Sequence, residues 1–256
     1  MEKLDRSALK NKFKKGRLPA EQDFANLIDS MVNILEEGFD RSANDGLRMS
    51  QTGNGRLLSF YRNIAVDSPQ WFLELGSSDN KLHLGTPASP RVLSLHASDG
   101  DSGARIAVGI NQEDPQATLD VGGTLASNGR RGQFGELPVA ADGQWHDITS
   151  ALTGCEAFEI VAGVGGADAD GKYALLHAFA LNTFNGKSSI TPHEAWFGNK
   201  CNRIDLRWQS VPELGQFHFK LQMRVQCPYG KDIWVKYHLT RLWFDPLMLD
   251  SNQPPL

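Results

Sequence analysis

Arg105-Ile-Ala-Val-Gly-Ile-Asn-Gln-Glu-Asp-Pro-Gln-Ala-Thr-Leu-Asp-Val-Gly-Gly-Thr-Leu-Ala-Ser-Asn-Gly-Arg130 is a run of short strand candidates cut by turns. Arg105–Ile110 and Ala117–Val121 are rich in apolar and β-branched residues, as strands prefer. Glu-Asp-Pro fixes φ between them and Gly-Gly frees it after them. The same pattern recurs upstream at Leu47–Met49, Leu57–Tyr61, Trp71–Leu75, Lys81–Leu84 and Val92–Leu95. Thr-Gly-Asn-Gly, Gly-Ser-Ser-Asp-Asn and Asp-Gly-Asp-Ser-Gly lie between these runs. Strands this short leave long unpaired edges in a single chain. Winding three chains together pairs those edges and buries the small apolar faces along an axis. Residues 39–130 are therefore expected to form a slender trimeric β shaft.

Upstream, residues 5–37 read as helical. Ser7 is the expected cap of a first helix carrying Leu9 and Phe13, and Gly16 the expected stop. Pro19 suits the first turn of a second helix, with Glu21 and Asp23 near its positive end. Phe24, Leu27, Ile28, Met31 and Leu35 follow one helical stripe up to Gly38. Two short helices have little room for a core, so this stripe is expected to pack on copies of itself or on another protein. Residues 1–38 form the expected attachment and oligomerisation segment.

Downstream, residues 131–250 alternate clearly. From Phe217 to Cys227 every odd position is apolar and every even one polar, the period-two pattern of a half-buried strand. Arg203–Trp208 alternates too, while Phe158–Val164 and Tyr173–Leu181 are more continuously apolar, and Ile233–Leu242 completes the set. Gly163, Gly165, Gly166 and Gly171 flank a hairpin-like loop at Ala167–Asp170. An antiparallel β-sandwich of about six to eight strands is expected here, with a loose tail over residues 251–256. The fold class is thus mainly β: short N-terminal helices, a shaft, and a sandwich head.

Bulk composition narrows function. The chain has 256 residues, 25 of them glycine, and a net charge of −4, which lacks the basic surplus of a nucleic-acid binder. The basic run Lys10–Lys15 reads as a solvated helix face. Three widely spaced cysteines, Cys155, Cys201 and Cys227, form no Cys-x-x-Cys and are expected to be buried free thiols of a protein made in the cytoplasm. The opening lacks the apolar core of a signal peptide, and no apolar run of about 18 residues is present to span a membrane. Action outside the cell then requires export by another route.

Two places resemble a known group. Val108-Gly-Ile, then Pro115-Gln-Ala-Thr-Leu-Asp-Val-Gly-Gly-Thr124, resembles a stretch common in the shafts of phage tail fibres and tail spikes. The opening, Phe13-Lys-Lys-Gly16 and Leu18–Ser30, is similar to the N-termini of fibre-like proteins from phage tails and extracellular contractile injection systems. The head resembles blocks attached to such shafts, through Asp142–Thr149 and Tyr173–Ala178. The autocleaving chaperone that ends many such shafts has no counterpart here. The resemblance implies a homotrimeric, non-enzymatic fibre or spike subunit. Its N-terminus would engage baseplate or tail proteins, and its head a cell-surface glycan or protein.

Candidate chemistry is sparse. Seven histidines are scattered and select no metal site, and no cofactor motif is present. Asp168-Ala-Asp170-Gly171 lacks the longer ligand series of a calcium loop. Many carboxylates are present without a preferred acid/base pair, so a glycan-cleaving depolymerase is the alternative, beside a free-standing lectin or cargo protein. Five of the six tryptophans lie in the head, where indole faces stack on sugars or anchor interfaces. Trp208 is expected in the core. Trp196, in the polar loop read over Ser188–Asn199 beside His193, is the best exposed candidate. Trp234 shares a face with Lys236 and His238. The expected ligand-binding residues are Trp196, His193, Trp234, Lys236 and His238.

Overall fold

The computed structural model describes residues 4–31, 38–51, 53, 55–76, 81–100 and 103–252. It is mainly β, and its contacts divide the chain into two compact units, residues 1–126 and 127–256.

The first unit opens with α1 (Arg6–Lys12) and α2 (Glu21–Asp29). Asp5, not Ser7, caps α1: its Oδ1 accepts from the N–H groups of Ser7 and Ala8, both at 2.8 Å. Its extended backbone places the carboxylate over the free N–H groups of the first turn. Pro19 lies outside α2, ahead of the N-cap Ala20. Asp23 reaches back to the Ala20 N–H and takes Lys12 Nζ at 2.7 Å, tying the two helices together. Phe13 meets Phe24 edge to face. The second helix ends at Asp29, with Ser30 as C-cap, and the part of the expected helix over residues 32–37 lies outside the described residues. Phe24, Ile28 and Met31 are exposed and Leu27 half-buried, while Leu35 lies outside the described residues.

A hairpin follows, β1 (Phe39–Ser42) with β2 (Gly46–Met49). Then β3 (Arg56–Phe60), β4 (Trp71–Leu75), β5 (Lys81–Gly85), β6 (Leu93–Gly100), β7 (Gly103–Ile110) and β8 (Leu119–Val121) form one six-stranded sheet in chain order. These strands pair within the chain, so the expectation that their edges need other chains is corrected. Only the two outer strands remain as edges. Every neighbouring pair is antiparallel except β7 with β8, which is parallel.

Parallel neighbours usually need a crossover of about a dozen residues or more. Here residues 111–118 suffice, because glycine lets the turn lie on the strand. A Cβ at Gly109 would sit 2.0 Å from the Gln112 carbonyl oxygen, and one at Gly122 2.5 Å from that of Asn111. Asn111 takes a left-handed φ of 51°. Asp120 accepts the Gln116 N–H at 2.9 Å, and Arg105 donates to the Pro115 carbonyl at 2.7 Å. The shaft-like motif is thus a compact parallel clip.

Register divides this sheet into two unlike faces. One face carries Leu58, Leu73, Leu84, Leu93, Ile110 and Val121 in one row and Leu75, Leu82, Leu95, Val108 and Leu119 in the next. The other carries Glu74, His83, Ser94 and Asp120. The chain's own loops close on the polar face. Gly85 abuts Pro90, Lys81 binds Asp114, and Arg91 binds both Glu74 and Glu113. His83 and Ser94 are buried there and join at 3.0 Å. The apolar face stays open: Leu95, in mid-sheet, is 40% exposed and Ile106 67%.

The second unit contains β9 (Gln133–Phe134), β10 (Val139–Ala140), β11 (His146–Asp147), β12 (Leu152–Thr153), β13 (Cys155–Gly165), β14 (Tyr173–Thr183), β15 (Ser189–Phe197), β16 (Ile204–Ser210), β17 (His218–Val225) and β18 (Trp234–Arg241). One sheet runs β10-β18-β13-β14-β15, with β9 also on β18. The other runs β11-β17-β12, with β16 also on β17. Both are antiparallel throughout. Ile160, Leu176 and Ala178 from the first sheet meet Leu221, Met223 and Val225 from the second in one core. Each large side chain buried there contributes about 1.5–3 kcal/mol. Trp208 packs partly buried against this core, its ring 5.2 Å from Phe219.

Two sequence expectations fail in this unit. Ser189–Phe197 is an edge strand, not a polar loop; an edge tolerates Pro192 because only one side must pair. Cys201 and Cys227 form a disulfide with Cα atoms 5.2 Å apart, leaving Cys155 as the buried free thiol. Pairing of β16 with β17 sets Ile204 opposite Val225 and so brings the flanking cysteines together. Beyond β18, Leu249–Asn252 form a short 3₁₀ turn.

Candidate binding face of the sandwich

The six-stranded sheet of the second unit has a buried face and an open one. Even positions of β13 and β14, such as Ile160 and Leu176, point into the core. Odd positions point outward, and β18 adds its even positions through the pairs His238–Val161 and Lys236–Gly163. One outward row reads Phe134, His238, Val161, His177 and His193 across five strands. The next holds Thr240, Glu159, Phe179 and Thr191. On the other side lie Lys236, Gly163, Leu175 and Ala195. Leu175 is 64% exposed, and Leu181, Phe197 and Trp234 are also open. An apolar patch of this kind marks an interaction surface more often than bare solvent contact.

Four of the five sequence-nominated residues share this face: His193, Trp234, Lys236 and His238. They do not converge to one point, since His193 and His238 sit three strands apart, about 14 Å at normal strand spacing. Trp196 is the exception. It pairs with Ala174 and therefore points to the opposite side of the sheet. No direct contact joins it to the other four.

At the centre lies a cluster the sequence reading missed. Glu159 points outward from β13, yet its side chain is only 9% exposed. Arg130 Nη2 lies 2.7 Å from its carboxylate, and His177 Nε2 lies 2.8 Å from Oε1. The His177 ring stacks on His193 with centroids 6.0 Å apart. Residues 130–132 form a strap beside β18, where His238 Nδ1 meets the Gly132 carbonyl at 3.2 Å. Phe134 packs on His238 with centroids 4.3 Å apart, and the Arg131 guanidinium lies over Phe134 at 4.9 Å. Only strand register shows that Glu159 and His177, 18 residues apart, are neighbours.

A concavity of about 670 Å³ opens at one end of the sandwich between the sheets. Leu137, Ile148, Leu152 and Phe158 form its apolar floor, with Asp147, Lys220 and Arg241 at the polar positions. Burial opposes ionisation of Asp147. The hydrogen bonds from Lys220 at 2.8 Å and Gln222 at 2.7 Å outweigh that effect and hold its carboxyl below the usual range. Glu156, deeper in, behaves oppositely. Its burial dominates the attraction of Arg241 and pushes its carboxyl up. Among the described residues, no group of three or more His, Cys, Asp or Glu side chains is placed to hold a metal ion, and no helix is long and apolar enough to cross a membrane.

Comparison with known proteins does not name a family. No family model matches the chain, and no curated protein matches it. Residues and geometry therefore carry the functional reading.

Proposed function

We propose that this chain is a structural and receptor-binding subunit, a homotrimeric fibre or spike of a phage-like or contractile injection particle. The observation that carries this reading is the uncovered apolar face of the sheet β3–β8. Its loops fold over the polar side, while two rows of leucine, isoleucine and valine on the other side remain half-buried or exposed. Copies of the chain packing these faces about an axis would bury them. The exposed Phe24 and Ile28 of α2, with Met31 just beyond its C-cap, offer a second apolar surface, for self-packing or for a baseplate or tail protein. The open face of the head supplies the contact with a surface glycan or protein.

Two further observations favour attachment over turnover. Glu156 and Glu159 point to opposite sides of β13 and each is bound to an arginine, so they do not flank a common cleft. The Cys201–Cys227 bond suits a protein working in an oxidising environment outside the cell.

The test is the solution mass of the intact chain by light scattering, followed by adhesion of the labelled protein to cell surfaces. A mass of three chains with adhesion is expected. A monomer of 28.2 kDa would remove the reason for the fibre.

A further inference from the structure

We propose that the pocket beside Glu159 is a subsite for one acidic sugar ring, a pyranose bearing a carboxylate as in uronic and sialic acids. This rests on the attachment reading only in choosing a glycan over another organic acid. Size and shape come first. The strap of residues 130–132 closes against β18, where a Cβ at Gly132 would sit 2.4 Å from Thr240 Oγ1. Between strap and sheet lies a concavity of about 170 Å³ lined by Arg130, Arg131, Glu159, Val161, His238 and Thr240. That is well below the roughly 300–1,000 Å³ of pockets for larger ligands, and it suits a single ring with the rest of the glycan outside.

Charge then selects the ring. Glu159 is already matched by Arg130 and His177. No carboxylate among the described residues pairs with Arg131, whose guanidinium lies over the Phe134 ring at 4.9 Å. The pocket therefore carries one uncompensated, oriented cation, and guanidinium binds carboxylate through paired N–H donors. Beside it, Glu159 accepts hydrogen bonds from hydroxyl groups, and Thr240 both donates and accepts. Val161, exposed on the pocket wall, offers an apolar surface for the C–H groups of a ring. A phosphate would use the arginines but would face the Glu159 carboxylate. A neutral sugar would leave Arg131 unmatched. An acidic pyranose satisfies cation, acceptor and ring surface together.

The test uses the intact protein and two probes that differ only at C6, methyl β-glucuronide and methyl β-glucoside, titrated by calorimetry or ligand-observed NMR. The sialic acid methyl glycoside is run beside them. We expect the glucuronide or the sialoside to bind more tightly than the glucoside by roughly ten- to hundredfold, the worth of one charge-assisted hydrogen-bonded pair. Arg131→Gln, at an exposed position that leaves the fold intact by circular dichroism, should abolish that preference. Thr240→Val should weaken the acidic probe while keeping the preference. Equal binding of acidic and neutral probes, no binding of either, or an unchanged preference in Arg131→Gln overturns the subsite. Cell adhesion of the same protein is measured in parallel. Adhesion that acidic sugars do not compete overturns the subsite but leaves attachment standing. Glucuronide binding without any adhesion leaves the subsite standing and overturns attachment.

Discussion

Leu95→Asp probes the open face of the sheet β3–β8 at its centre. Leu95 lies on β6 between Leu82 and Val108 and is 40% exposed in the single chain. Full burial of a leucine contributes about 1.5–3 kcal/mol, so covering the remaining part contributes roughly 1 kcal/mol per chain. Three chains would lose about 3 kcal/mol of apolar contact. Each buried carboxylate would add a desolvation cost of several kcal/mol. The sum is on the order of 10 kcal/mol or more, against about 1.4 kcal/mol per tenfold in an equilibrium constant. A trimer assembled through this face should fall apart at micromolar concentration. The folded single chain, where Leu95 already meets water, should lose little. Sedimentation velocity reads the assembly, and circular dichroism melting reads the fold. Ser59→Asp, exposed on the opposite face, is the control and should sediment like the parent. A Leu95→Asp chain that sediments as the parent trimer would refute burial of this face by its own copies.

Other outcomes follow from local geometry. Gly109→Ala should destabilise the first unit by about 2 kcal/mol or more, because the added methyl meets the Gln112 carbonyl, whereas Gly123→Ala meets nothing within 4 Å and should be tolerated. Thermal melts of the two variants decide this. Cys201→Ser, or reduction of the intact protein, opens a bond spanning 26 residues and should cost about 3 kcal/mol in denaturant titrations; thiol counting should find one free cysteine, Cys155, in the unreduced unfolded chain. Asp147 has its folded carboxyl held below its unfolded value, so its stabilisation is present above about pH 4 and is lost as pH falls through the folded value. Asp147→Asn should flatten that part of the acid limb in melts taken between about pH 5 and pH 2; an unchanged acid limb would count against the Lys220 and Gln222 contacts.

Much of this molecule is local and was readable. Alternation from Phe217 to Cys227 became β17, with Phe219, Leu221, Met223 and Val225 fully buried and their neighbours half-exposed. Seven short runs between residues 47 and 121 became strands because β-branched residues and turn formers act over a few positions. Pairing is not local, and there the sequence misled. The short strands satisfied each other within one chain, which removed the need for interwound edges. Ser189–Phe197 looked like a loop because an edge strand needs neither an apolar face on both sides nor a donor at every residue. Cys201 and Cys227 met because the hairpin between them closed, which a count of three cysteines does not reveal.

The same division governs the binding face. Sequence by itself placed Trp234, Lys236 and His238 on one strand, put His193 in a loop, and established that period two sorts each strand into two sides. Tertiary structure alone decided which sides of different strands coincide. It turned Trp196 away and placed His177 and Arg130 on the carboxylate of Glu159. It also decided that the loops of the first unit cover its polar face and leave the leucine rows open. The physical reason is common to both cases: side-chain alternation is fixed by the backbone of one strand, whereas register and loop coverage depend on hydrogen bonds between residues far apart in the chain.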